Sequence, residues 1–148
     1  MEYPKSILSF LKSQTLITLA TSAGNVPYCA NCFYSFEPSN KFLVIKSSPD
    51  SRHIREGLSN NKVAGAIIPS NLQLGQIIGL QFQGILSEPD GEKLKAAKNS
   101  YYKKFPFALI MPGELWIIQP EYFKMTDNRK LFAEKTEWKI NSLSLNEV

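Results

Sequence analysis

The chain has 148 residues, of which 43% are hydrophobic and 20% charged, and its formal net charge is +4. These values are typical of one ordinary globular domain, and the positive charge is too diffuse to indicate DNA binding. The chain has no apolar run of about 18 residues, so no membrane-spanning helix is expected. Its first residues lack a secretory signal pattern, and we therefore expect a cytoplasmic protein.

The first half of the chain predicts two helices and three strands. Apolar residues at helical spacing predict a short amphipathic helix over Pro4–Gln14. Runs rich in β-branched and aromatic residues, separated by turns at hairpin spacing, indicate an antiparallel meander. Its three strands are expected at Leu16–Thr21, Val26–Phe36 and Lys41–Lys46, and a second helix follows at Ser51–Leu58.

The second half predicts further strands around one longer helix. Strands are expected at Lys62–Ile68 and Gln76–Leu86, a helix at Gly91–Lys104, and one or two strands in Glu114–Gln119 and Tyr122–Thr126. About six mostly antiparallel strands with three helices predict one α+β domain over residues 1–140, its strands closing into a small split barrel that removes exposed edges. The polar residues 141–148 are expected to form a loose tail.

The segment Lys46–His53 is a candidate anion-binding turn. It joins an apolar strand to a helix, it contains three serines, and Arg52 and the chain's one histidine, His53, follow at the helix start. Free backbone N–H groups and the positive end of the helix dipole favour a phosphate at such a position. The alternative is an ordinary surface helix whose first turn is capped by Ser48 or Asp50.

Two other features allow a chemical interpretation. Cys29 and Cys32 form a C-x-x-C pattern, but they lie in a predicted strand, where residues three apart point to opposite faces. We therefore expect two small buried residues and neither a disulfide nor a metal site. Lysines of the third helix, with Tyr101 and Tyr102, would suit nucleic acid, yet the tyrosines occupy the apolar face, so a solvated basic surface is expected instead.

Several strings in this chain resemble the pyridoxamine phosphate oxidase-like, FMN-binding split-barrel proteins, and most of all their YhbP-type branch. The resemblance covers about Ile7 to Trp138 and depends on the order and spacing of the strings. They are Tyr28-Cys29-Ala30-Asn31-Cys32-Phe33-Tyr34, Ser51-Arg52-His53, Asn60-Asn61-Lys62-Val63-Ala64, Gly79-Leu80-Gln81-Phe82-Gln83-Gly84, Lys104-Phe105-Pro106 and Phe123-Lys124-Met125-Thr126-Asp127-Asn128.

The resemblance implies a homodimer that binds FMN in a cleft between its subunits. The cofactor-binding residues carried over are Ala30, Asn31, Cys32, Lys46, Ser47, Ser51, Arg52, His53, Gly79 and Gln81. Arg52 and His53 would hold the phosphate, and Gly79 and Gln81 would face the partner's cofactor.

The chain departs from the oxidase at positions that carry charge. Ala30 stands where the oxidase has an arginine, His53 where it has a lysine, and the C-terminal Arg-x-His substrate pair has no counterpart. Pyridoxamine phosphate is therefore not the expected substrate. The resemblance implies an FMN-dependent oxidoreductase of unassigned substrate, and the alternative is a non-enzymatic flavin- or haem-binding or storage protein.

Overall fold

The computed structural model describes residues 2–129 and 133–140. These residues contain three α-helices, α1 (Lys5–Ser13), α2 (Arg52–Ser59) and α3 (Gly91–Lys104), and α3 is followed by a short 3₁₀ helix, Pro106–Ile110. The strands are β1 (Leu16–Ala23), β2 (Val26–Glu37), β3 (Phe42–Ser47), β4 (Lys62–Ile67), β5 (Ile78–Ser87), β6 (Glu114–Asp127) and β7 (Glu134–Lys139). Within the described residues, no helix has the length and apolar character needed to cross a membrane.

The seven strands form one antiparallel sheet that closes on itself. Their order is β3-β2-β1-β4-β5-β6-β7, and an additional pairing of β3 with β6 joins the first strand to the sixth. Six strands thereby make a ring, and β7 extends the sheet along the C-terminal half of β6. The predicted α+β split barrel and the antiparallel β1-β2-β3 meander are both confirmed.

The main core fills the inside of this ring. Alternate residues of each strand point inward, as the period of two requires. Ile7 and Leu11 of α1 and Ile54 of α2 join them and are fully buried. Gly57 lets α2 approach β5, because a Cβ there would lie 2.3 Å from the Leu86 side chain. Helices α1 and α2 therefore pack directly against the strands of the barrel.

A second, smaller core lies outside the ring, between α3 and the outer faces of β3 and β6. Tyr101 and Ala97 of α3 are buried there against Val44 and Ile117. The expectation that Tyr101 packs inward is confirmed, and Tyr102 packs partly buried against the same cluster. This side of the barrel is thus covered by a helix.

The end of the chain differs most from the predicted elements. Glu114–Asp127 is one continuous strand despite Pro120, which lies after the pairing with β3 ends at Ile118 and before the pairing with β7 begins at Tyr122. Pro120 is paired with Gly84 of β5 at a shift in register, and strand prolines are tolerated at such bulges. Strand β7 was not predicted, and the predicted loose tail, residues 141–148, lies outside the described residues.

Strands β5 and β6 approach each other closely at Gly84. The pairing of β5 with β6 shifts register between Gln83 and Gly84, and a Cβ at Gly84 would lie 2.6 Å from the carbonyl oxygen of Gln119. A bulge at such a glycine bends the strand. At Gly79 the nearest atom to a Cβ would be 3.8 Å away, which is ordinary contact.

Candidate functional site

Three of the predicted site residues meet where β2, β3 and α2 converge. The imidazole Nε2 of His53 lies 2.8 Å from the hydroxyl oxygen of Ser47 and 3.8 Å from Cys32 Sγ. Cys32 Sγ lies 4.0 Å from the same hydroxyl. These side chains form a cluster, which we call the His53 cluster, whose members come from positions 6 to 21 residues apart along the chain.

The elements hold this cluster in place. Cys32 is on the inner face of β2, Ser47 ends β3, and His53 lies in the first turn of α2. The indole N–H of Trp116, on β6, donates a hydrogen bond of 3.0 Å to the carbonyl oxygen of Ser47. The end of β3 is therefore held by its contact with β6. The start of α2 is in turn held by the contact between His53 and Ser47.

Burial keeps both titratable members of the His53 cluster uncharged at neutral pH. Desolvation lowers the pKa of His53 below its ordinary value and raises the pKa of the Cys32 thiol. A low-dielectric environment disfavours the charged form of each group, imidazolium in one case and thiolate in the other. The cluster is consequently a neutral set of hydrogen-bonding groups, with a thiol that is a poor nucleophile.

Arg52 carries the positive charge beside this cluster. Its Nε–H donates to Glu56 Oε1 at 2.8 Å, and its guanidinium lies 4.1 Å from the centroid of the Tyr28 ring. The other carboxylate oxygen, Glu56 Oε2, accepts a 2.7 Å hydrogen bond from the hydroxyl of Thr21. The Arg52 side chain remains 49% exposed, so its terminal amino groups are accessible to a ligand.

The start of α2 carries no side-chain cap. Ser51 is the N-cap residue, but its hydroxyl donates to the carbonyl oxygen of Ser48 rather than accepting from the helix. The hydroxyl of Ser48 accepts from the N–H of Asp50, so neither of the two residues considered as caps fills that role. The first N–H groups of a helix have no acceptor within the helix, and here they follow a turn that contains Ser47, Ser48 and Ser51.

The remaining predicted residues do not join the cluster. Ala30 lies between Tyr28 and Cys32 on the same face of β2 and carries no polar group. The Lys46 ammonium faces the other side of β3, where it donates to the carbonyl oxygens of Ala108 (2.6 Å) and Met111 (2.8 Å).

Asn31, Gly79 and Gln81 lie on the outer face of the sheet. Asn31 accepts a hydrogen bond from Thr18, and Thr18, Ala66 and Gln81 follow across β1, β4 and β5 in register. Three strand spacings of about 4.8 Å separate Asn31 from Gln81 by roughly 14 Å. Within one chain, these residues therefore lie on the face of the sheet opposite to Cys32 and the His53 cluster.

The two cysteines face opposite sides of β2, as predicted, and both are free thiols. Cys32 is buried, which confirms the expectation for that residue, whereas Cys29 is exposed, so the expectation of two buried cysteines was wrong for Cys29. The reason is that Cys29 pairs with Ala20 on the outer face, where the described helices do not cover it. No group of three or more metal-ligating side chains occurs in the part of the chain that the structure describes.

Two open clefts lie elsewhere on the described surface. One, of about 540 Å³, separates α1 from the loop between β4 and β5, and the other, of about 780 Å³, lies between α3 and the turn after β2. None of the ten candidate residues lines either cleft. The His53 cluster is therefore separate from both clefts.

Three residues at the site were missed by sequence reasoning, namely Thr21, Tyr28 and Glu56. The i, i+4 spacing of Arg52 and Glu56 on a predicted helix was a usable signal for their ion pair. The contacts of Thr21 with Glu56 and of Tyr28 with Arg52 join distant parts of the chain, and no local pattern indicates them.

Comparison with solved structures identifies the fold. A heme binding protein from Mycobacterium smegmatis superposes with a TM-score of 0.74 at 16% identity, covering 92% of this chain and 59% of that one. An FAD-binding protein from Mesorhizobium loti gives 0.66 at 17% identity, covering 82% and 92%. The heme storage protein HutZ from Vibrio cholerae gives 0.63 at 21% identity, with the same coverage. These likenesses establish the split-barrel fold.

Sequence comparison gives the family. No family model matches the chain. A UPF0306 protein from Yersinia pseudotuberculosis is 32% identical over 141 residues, covering 93% of this chain and 96% of the relative. A UPF0306 protein from Serratia proteamaculans is 32% identical over 137 residues, covering 93% and 95%. With this identity over nearly the whole length of both proteins, the chain belongs to the UPF0306 family.

Proposed function

We propose that this protein is an FMN-binding, oxidoreductase-like protein of the YhbP-type branch, which holds the phosphate of the flavin at the start of α2. The observation that carries the proposal is the position of Arg52, half exposed beside an uncapped helix start and the His53 cluster. A flavin supplies hydride or electron transfer when bound. The protein's own part is to bind and orient it.

The donor groups at the start of α2 suit a phosphate. Arg52 offers its terminal amino groups as a planar fork, and the uncapped N–H groups of the helix add neutral donors. The hydroxyl of Ser47, 2.8 Å from His53, is a further donor at the edge of the same surface. Lys46 has no part in this set, because its ammonium is bonded on the opposite side of β3.

The charge of the site is small, and this limits its affinity. Ala30 contributes no charge, and burial keeps the His53 imidazole neutral at pH 7 in the free protein. Arg52 is the positive group, and Glu56 partly offsets it. We therefore expect reversible FMN binding rather than a cofactor that stays on the protein through purification.

We also propose that a second copy of the chain completes the cofactor site. The outer face of β1 and β4 is flat, because its side chains are small: Ala20, Ala64 and Ala66 are adjacent there in register. The apolar side chains of Leu16 and Phe33 are exposed at its edge, and exposed apolar patches on a folded protein mark interaction surfaces.

A second copy on this face would bring its own Asn31, Gly79 and Gln81 towards the flavin held by the first. Within one chain these residues are separated from the His53 cluster, and the two clefts are elsewhere. A homodimer therefore gives the outer-face residues a role that one chain does not. We propose a cytoplasmic location for this dimer.

The proposal is tested by titrating the purified protein with FMN and with riboflavin, which lacks the phosphate, and following flavin fluorescence. We expect saturable quenching by the protein with FMN and markedly weaker binding of riboflavin. Equal affinities would show that the phosphate is not recognised, and no binding of either flavin would overturn the proposal.

Haem is a second candidate ligand, because one feature of the site favours it. The lowered pKa of His53 keeps its imidazole in the neutral form that ligates iron. Two of the solved structures with this fold are a heme binding protein and a heme storage protein. A Soret band that appears on adding hemin and is lost in His53→Ala would favour haem, whereas a band retained in that variant would exclude His53 as the ligand.

A further inference from the structure

We propose that Glu56 is a positioning residue, which orients the Arg52 guanidinium for a bidentate grip on the phosphate of the bound flavin nucleotide. This inference rests on the proposed function, since it concerns the same site. It assigns a role to a residue that makes no contact with the ligand itself.

The Arg52 side chain is held on two sides. Its Nε–H donates to Glu56 Oε1 at 2.8 Å, and one face of the guanidinium lies against the Tyr28 ring at 4.1 Å. These contacts leave the edge of the guanidinium that carries the two terminal amino groups available to a ligand. That edge matches two oxygens of a phosphate, which is the geometry of strong arginine–phosphate pairs.

The carboxylate that orients Arg52 is itself anchored. Glu56 Oε2 accepts from the hydroxyl of Thr21 at 2.7 Å, and Thr21 is only 2% exposed, on the inner face of β1. The barrel wall thus fixes Glu56, and Glu56 fixes Arg52. An arginine ordered in this way before the ligand arrives loses less side-chain entropy on binding than a free one.

Glu56 has a second effect of opposite sign. Hydrogen bonds from Arg52 and from Thr21 lower its pKa, so the carboxylate is ionised at neutral pH and offsets the charge of Arg52. Orientation favours the phosphate, and the negative charge opposes it. Replacing the carboxylate by an amide separates the two effects, because a glutamine keeps an oxygen for the Nε–H and loses the charge.

The experiment compares four variants by their dissociation constants for FMN and for riboflavin. We expect Glu56→Ala and Thr21→Val each to weaken FMN binding by about three- to tenfold, as the cost of ordering a free arginine. Riboflavin binding should not change. Glu56→Gln should bind FMN at least as tightly as the wild type. Arg55→Ala, at the exposed arginine on the same helix, is the matched control and should behave as wild type.

An independent readout needs no flavin. The Nε–H resonance of Arg52 should be protected from solvent exchange in the free wild type and in Glu56→Gln, and it should be lost in Glu56→Ala. Should Glu56→Ala fail to fold, Thr21→Val carries the same comparison, since valine keeps the shape of threonine.

The outcomes separate this inference from the proposed function. If the wild type binds no FMN, the proposed function fails, and the inference fails with it. If the wild type binds FMN and neither Glu56→Ala nor Thr21→Val weakens it, the inference alone is overturned. Equal losses of FMN and riboflavin would mean that Glu56 only supports the fold, and tighter FMN binding by Glu56→Ala would make it a competitor of the ligand.

Discussion

His53 and Ser47 are joined across two elements, with the imidazole Nε2 2.8 Å from the serine hydroxyl oxygen. Ser47 ends the strand that closes the barrel by pairing with β6, and His53 lies in the first turn of the helix that begins at Arg52. The contact therefore couples the position of the helix start to the closure of the sheet. A phosphate bound at this helix start would meet groups that the fold has already positioned.

Replacing Arg52 by alanine should weaken FMN binding by about tenfold or more, because the ligand loses its charged hydrogen-bond partner. Riboflavin should bind the variant and the wild type alike. Fluorescence titration of both flavins measures the effect, with Arg55→Ala as the control for a general loss of positive charge on α2. An unchanged constant for FMN in Arg52→Ala would remove this residue from the site.

Replacing Ala30 by arginine should tighten FMN binding by about tenfold, through a second charged partner for the phosphate. Ala30 is on the face of β2 that points to α2, between the residues in contact with Arg52 and His53. Ala30→Met adds similar bulk without the charge and should give no gain. If methionine and arginine had the same effect, the gain would come from packing and not from charge.

The affinity for FMN should increase as the pH falls from about 8 towards the ordinary pKa of histidine near 6.5. Burial lowers the pKa of His53 in the free protein, and a bound phosphate would raise it again, so binding takes up a proton. The resulting gain is present below the pKa of the complex and is lost as the pH rises through it. The comparison is with His53→Gln, which should lose this part of the pH dependence. Parallel curves for the two proteins would contradict it.

Replacing Ala66 by arginine should dissociate the proposed homodimer into monomers. Ala66 lies in the middle of the outer face, between Thr18 of β1 and Gln81 of β5, and a large charge there would be buried without a partner. Sedimentation velocity over a range of concentrations measures the oligomeric state. Asn99→Arg, an exposed position on α3 at the covered side of the barrel, serves as the matched control. A monomeric wild type would refute the dimer directly.

Lys104 should make the free energy of unfolding increase as the pH rises. Burial lowers its pKa to about 8, whereas an unfolded chain keeps the ordinary value of about 10.4. Between these values the unfolded state holds a proton that the folded state has released, so the unfolding free energy rises with pH.

Relative to Lys104→Met, the rise between about pH 8 and 10 should be on the order of 1 kcal/mol, after allowance for partial exposure to solvent. Urea unfolding of the two proteins at several pH values measures it. The same pH dependence in both proteins would show that Lys104 does not titrate in this range.

The helices and strands that have a local sequence pattern were predicted well. Strand β7, which lacks such a pattern, was missed. The helix Gly91–Lys104 and the hairpin β1–β2 follow from spacing and turn residues, which act over a few positions. Strand β7 is mostly polar, and its apolar residue, Trp138, packs against Phe123 and Tyr3 from distant parts of the chain. These contacts join residues that are far apart along the chain, so a local sequence pattern does not predict strand β7.

Local patterns in the sequence predict how neighbouring residues of the candidate site are oriented. They do not predict contacts between segments that are distant along the chain. Lys46 and Ser47 adjoin in β3, so only one of them can face α2, and the alternation of side chains already implied this. That the facing residue is Ser47 depends on the barrel closure. The contacts of Thr21 and Tyr28 with the helix depend on it as well.

The opposite orientations of the two cysteines provide a pair of natural reporters, one on each side of the barrel wall. In a single chain, Cys29 is open to reagents on the outer face, and Cys32 is shielded beside His53. In a folded single chain, a thiol-directed dye would therefore label Cys29 alone, whereas in the proposed homodimer the second copy on the outer face would cover that thiol. The second thiol would become available only when the wall opens, so the number of labelled thiols distinguishes events at the surface from loss of the fold.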